Sequence, residues 1–109
     1  MQAAANTTAE RLRTLARLYQ QGQSSQLMDR TLDKLLAHEA EQAHTKLTVL
    51  ADDLTAFEEQ YHLTSAEFYT RYQSGQMDDR LDFVEWASLL RMRNNLLRRL
   101  QLLTGESTT

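Results

Sequence analysis

The sequence predicts an all-α protein of three to four helices, with one very long amphipathic helix in a coiled-coil-like hairpin or bundle. Three observations lead there. Proline is absent and there are only 3 glycines, so the residues that interrupt helices are nearly missing. Val49 and Val84 are the whole valine content and there is no isoleucine, which leaves little material for a β-sheet. Apolar residues recur at steps of three and four along most of the chain, which is the period of a helix face.

Gly22, Gly75 and Gly105 each close a helical pattern, where the residue after the last turn is easiest in the left-handed conformation. The first helix is expected from about Thr8 to Gln21. Thr7 with Glu10 makes a capping-box pattern that satisfies free N–H groups at its start. Leu12, Leu15, Ala16, Leu18 and Tyr19 form its apolar side, and Arg11, Arg13 and Arg17 line the other.

The second helix, capped by Ser24 or Ser25, continues to about His62. Leu32 and Leu36 lead into Ala40, Ala43, Leu47, Leu50, Leu54, Phe57 and Tyr61, where the steps alternate between three and four. That alternation is an a/d seam of the coiled-coil kind. At 1.5 Å per residue such a helix spans on the order of 50 Å. A stripe of that length is hard to cover within so small a chain, so neighbouring helices or a second copy are expected along it.

Thr64 and Glu67 give a second capping box, with Leu63 and Phe68 placed as a hydrophobic staple. A short helix Ser65–Gln73 follows, and Gly75 ends it. Asp78 or Asp79 is then expected to cap a last helix from about Arg80 to Leu103. Its apolar face is broad: Leu81, Phe83, Val84, Trp86, Ala87, Leu89, Leu90, Leu96, Leu97, Leu100 and Leu103. The 109 residues read as one helical domain, with 1–6 and 104–109 expected to be disordered.

Charge and composition narrow the function classes. The chain has 12 Lys and Arg against 15 Asp and Glu, a net charge of −3, which does not point to nucleic acid. Cysteine is absent, which removes disulfides, thiol chemistry and cysteine-based zinc sites and makes the cytoplasm the expected compartment. No apolar run approaches the roughly 18 residues of a membrane span. Gly-rich phosphate loops and a Ser-His-Asp arrangement are not visible, so neither an enzyme nor a cofactor is expected.

Two local patterns have competing readings. Glu41 and His44 have the Glu-x-x-His spacing that di-iron bundles use, and a symmetric dimer would supply two copies. Ala40, Ala43 and Leu47 define the seam, however, so Glu41 and His44 flank it, and solvated side chains are the expected reading, with no metal. Seven of the eight aromatics lie from Phe57 to Trp86, either as a local core around the short helix or, for Tyr69, Tyr72 and Trp86, as a partner surface.

Residues 23–62 carry 8 acidic and 3 basic side chains, whereas 80–109 carry 5 basic and 3 acidic, including Arg91, Arg93, Arg98 and Arg99. Pairing between an acidic and a basic helix, within or between copies, is the simplest use of that asymmetry. The expected interface is therefore the seam from Ala40 to Tyr61 with Tyr69, Tyr72, Trp86, Leu89, Leu90, Arg93, Leu96, Leu97 and Leu100.

The block from Tyr61 to Leu100, with Ser65-Ala66-Glu67-Phe68-Tyr69, Gly75 and Asp82-Phe83-Val84-Glu85-Trp86, resembles a segment of small helical prokaryotic proteins common in cyanobacteria and archaea. Some of those resemble antitoxins encoded beside a small toxin. The resemblance covers about 40 of the 109 residues and implies a non-enzymatic, antitoxin-like protein that masks a protein partner, such as a cognate toxin, and forms a homo-oligomer. A metal-binding, ferritin-like helical dimer and a structural or assembly dimer are the alternatives.

Overall fold

The structure, a computed structural model, describes residues 7–105. It contains α1 (Thr8–Gln20), α2 (Gln26–Tyr61), α3 (Ser65–Gln73) and α4 (Leu81–Thr104). No strand occurs among the described residues, and the protein is all-α. Residues 1–6 and 106–109 of the expected disordered ends lie outside the described residues. Thr104 was placed in such an end but forms the last residue of α4, with Gly105 as its left-handed C-cap at φ +71°. The chain groups into two compact units, Met1–Leu35 and Leu36–Thr109, and α2 contributes to both.

In the first unit the Thr7 hydroxyl accepts from Glu10 N–H at 3.1 Å, and Glu10 Oε1 accepts from Thr7 N–H at 3.1 Å. The capping box is complete, as the sequence pattern requires. Past the helix end, Gln23 N–H donates back to the Leu18 carbonyl at 2.7 Å, a reversal that needs Gly22 at φ +71°. Ser25, not Ser24, starts α2: its Oγ accepts from Met28 N–H at 3.2 Å. Tyr19 OH donates to Asp29 Oδ1 at 2.7 Å and ties α1 to the first turn of α2.

In the second unit α2 and α4 run antiparallel. Near one end Gln60 Nε2 donates to Asp82 Oδ2 at 3.4 Å, and Tyr61 OH donates to the same oxygen. Near the other end Arg99 pairs with Glu39. α2 stops at Tyr61, one residue before the expected end, because His62 takes a left-handed φ of 54°. Such a conformation costs a non-glycine residue about 1–2 kcal/mol. Contacts beyond it offset that cost. Leu63 N–H donates to the Glu58 carbonyl at 3.3 Å, and the Glu58 carboxylate accepts from Ser65 N–H at 2.8 Å.

Thr64 caps α3, accepting from Glu67 N–H at 3.1 Å. The expected box is only half formed, since Glu67 Oε1 accepts from the Thr64 hydroxyl at 3.1 Å instead of from its N–H. α3 then lays Phe68 into the angle between the long helices. Leu54, Phe68, Phe83, Trp86, Ala87 and Leu90 make the core, flanked by Phe57, Tyr61, Leu63, Tyr69, Tyr72, Met77 and Leu89. Phe68 and Trp86 stack with ring centroids 4.0 Å apart and planes 1° from parallel. The Trp86 indole N–H donates to Ser65 Oγ at 3.0 Å, so the polar edge of the largest core side chain is satisfied.

The expected cap of α4 by Asp78 or Asp79 is not formed. Arg80 is the N-cap residue and makes no side-chain cap bond. Asp78 is already engaged two residues before the helix: its Oδ1 accepts from Arg80 N–H and Nε at 3.0 Å each, and its Oδ2 from the guanidinium at 2.8 Å. The Arg80 guanidinium holds the Asp78 carboxyl below its ordinary range, and it also lies 4.7 Å from the centroid of Phe83. A loop carboxylate drawn to its neighbour's side chain and amide is unavailable to the free N–H groups of the following turn.

Candidate protein-binding surfaces

Burial sorts the expected interface into covered and open residues. Ala43, Leu50 and Leu54 are 3–5% exposed, and Ala40, Leu47, Phe57 and Tyr61 are half-buried. The seam from Ala40 to Tyr61 therefore finds its cover within the second unit, where α4 folds back along α2 and α3 caps one end. Of the two sources of cover expected for this stripe, neighbouring helices and a second copy, the first supplies it here. Trp86 and Leu90, assigned to a partner face, are 0% and 3% exposed and belong to the core. Phe57 stacks on Trp86 with centroids 5.5 Å apart, Phe68 lies over it at 4.0 Å, and Tyr61 flanks it at 6.0 Å. Tyr69 and Tyr72 are half-buried against the same core.

The rest of the expected α4 face is only partly covered. Leu97 is 46% exposed, Arg93, Leu96 and Leu100 are half-buried, and Leu89 is half-buried against the core. Arg93 sits among Leu89, Leu90, Leu96 and Leu97, the residues three and four positions away on the helix. Its Nε is buried and has no hydrogen-bond partner.

Several open apolar residues were not singled out from the sequence, two of them on one side of the α2–α4 pair. Val49 on α2 is 57% exposed and Met92 on α4 is 49% exposed. Both lie off the seam, and an apolar side chain off the stripe of a long amphipathic helix is the signal that marks them. The side of the α2–α4 hairpin that carries them also carries a cleft lined by Asp53, Ala56, Phe57 and Gln60 of α2 and Glu85 of α4. By helical phase Lys46 belongs to this side on α2, and Leu89, Leu96 and Arg99 belong to it on α4.

The first unit is open in a different way. α1 has an apolar side but contains no buried residue. Leu12 is 51% exposed, and on α2 Leu27 and Leu35 are 75% and 50% exposed. Leu15, Leu18, Tyr19, Met28 and Leu32 are only half covered. Arg11, Arg13 and Arg17 are exposed around them. What holds this hairpin is the capping at its ends and the Tyr19–Asp29 hydrogen bond, which pushes the Tyr19 hydroxyl up to about 12. The same cause, a bond to Asp82, raises Tyr61 above its ordinary value.

Glu41 and His44 are both exposed. Among the described residues no group of three or more His, Cys, Asp and Glu is placed to hold a metal ion. None of the helices among them is long and apolar enough to cross a membrane. No protein family, curated protein or solved structure matches the chain.

Proposed function

We propose that the chain is a non-enzymatic protein-binding helical protein, the antitoxin-like member of a toxin–antitoxin pair, which masks a protein partner against its N-terminal hairpin. The observation that carries this reading is that α1 has an apolar side on which no residue is fully buried. A helical hairpin with its leucines half in water gains little from its own packing, because helices in water owe most of their stability to burial of an apolar face. A partner that covers Leu12, Leu15, Leu27 and Leu35 supplies that burial. The exposed Arg11, Arg13 and Arg17 select a partner groove bordered by carboxylates, and contribute orientation more than affinity.

The test is to mix the purified chain with the product of its adjacent gene and measure binding by calorimetry, with growth of cells expressing that product as the second readout. A complex and restored growth are expected, and Leu12→Asp combined with Leu35→Asp abolishes both while leaving the second unit folded. The absence of a complex and of rescue overturns the proposal.

A further inference from the structure

The open side of the α2–α4 hairpin has an internal symmetry. Gln60 meets Asp82 near one end and Glu39 meets Arg99 near the other, so Val49 and Met92 lie at one level near the middle. These are two of the more exposed apolar side chains of the unit, at 57% and 49%. Half-buried Leu89 and Leu96 lie one turn to either side of Met92. Charges are arranged about the same centre. Glu85 lies two turns before Met92 and Arg99 two turns after it; Lys46 and Asp53 lie one turn to either side of Val49. Glu85 and Asp53 thus each have a base at the mirrored distance on their own helix.

From this we propose that the chain forms a two-fold dimer through the α2–α4 side, its axis passing by Val49 and Met92 and crossing the helices at right angles. Each helix then lies antiparallel on its own copy. Met92 packs beside the second copy's Met92 between the Leu89 and Leu96 rows, Glu85 faces the second copy's Arg99, and Asp53 faces its Lys46. An isologous interface requires this self-complementarity, because every contact is made twice. The other two-fold that would cover the same face, with its axis along the helices, sets α4 over the second copy's α2. Glu85 would then face Asp53 at the level of the cleft these two residues share, and Lys46 would meet no acid. Charge therefore selects between the two arrangements, which is the main contribution of rim charges to association. Arg99 also holds Glu39 of its own chain, and its guanidinium has donors enough for two carboxylates.

Sedimentation equilibrium of the purified full-length chain and its variants tests the dimer. The wild type is expected to be dimeric. Met92→Glu places two carboxylates on the axis and weakens association roughly a hundredfold. Glu85→Arg and Arg99→Glu each create two like-charge contacts and weaken it roughly tenfold, whereas an equimolar mixture of the two variants has every contact attractive and recovers wild-type affinity. All the substituted residues are exposed or half-exposed, and unchanged circular dichroism verifies that each variant is folded. A wild type still monomeric at roughly 100 µM overturns the proposal. So does a dimer indifferent to Met92→Glu, or a mixture no tighter than its components. The measurement needs no second protein, so it succeeds or fails independently of the masking function.

Discussion

Phe68→Ala removes the ring on which the core of the second unit closes. Phe68 is 0% exposed and is the only large apolar residue that α3 buries completely. Its ring stacks on Trp86 at 4.0 Å and contacts Tyr72 and Phe83 at centroid distances of 5.4 and 5.6 Å. Truncating a phenylalanine in such a setting costs about 3–5 kcal/mol, the sum of lost transfer energy and of a cavity the neighbours cannot fill. Domains of this size are stable by only about 5–15 kcal/mol, so the loss is a large share of the total. In a unit of this length each kcal/mol moves the melting temperature by roughly 4–8 °C, which puts the expected drop on the order of 20 °C. α3 has 9 residues, too few to stay helical without packing, so it should come loose first. Trp86 is the only tryptophan, and its emission reports this core directly. Urea unfolding followed by Trp86 fluorescence and by circular dichroism is the assay. A loss below about 1 kcal/mol would refute the placement of Phe68 as the closing residue.

Three further outcomes are expected. Ser65→Ala leaves the buried Trp86 indole N–H without its acceptor and should cost about 1–3 kcal/mol in urea unfolding, with an altered near-ultraviolet dichroism of Trp86. Thr64→Ala removes the cap of α3 and should cost about 1 kcal/mol, with faster amide exchange at Glu67 as the site-specific readout. Tyr19 should titrate near 12 by ultraviolet absorbance, and Asp29→Asn should bring it down toward the ordinary 10. The Tyr19 pKa is raised by folding, so the contribution of this hydrogen bond is fully present below about pH 10 and is lost as pH rises toward 12.

The parts of the fold that depend on short-range bonds were legible in the sequence. Thr7 with Glu10, Thr64 before Glu67, and Gly22, Gly75 and Gly105 act on neighbours three or four residues away, and each marks a helix end in the structure. The end of α2 was read to within one residue, although the Glu58–Ser65 bond beyond it exists only once α3 has folded back. The cap of α4 was not legible. Asp78 fails as a cap because Arg80 competes for its carboxylate, and a choice between two partners equally near in sequence cannot be read from spacing.

The surfaces were the harder part. Periodicity identifies which side of a helix is apolar but not which of its residues the chain itself covers. Trp86 and Leu90 looked as available as Leu97, yet the first two are core because α3 and α2 converge on them. Val49 and Met92 lie off the regular apolar stripes, where periodicity gives no reason to expect a surface. In the first unit the apolar side of α1 with Leu12 was visible, whereas Leu27 and Leu35 of α2 were not, and the lack of any buried residue on α1 is a fact of packing.

Residue-resolved amide hydrogen exchange on the isolated full-length chain is the most direct test of the claim that the chain keeps a closed C-terminal unit and an open N-terminal hairpin. The expected result is slow exchange, near the global unfolding limit, for Leu54, Phe68, Trp86, Ala87 and Leu90, with α1 exchanging orders of magnitude faster. Protection of α1 equal to that of the core, in the chain alone, would contradict it.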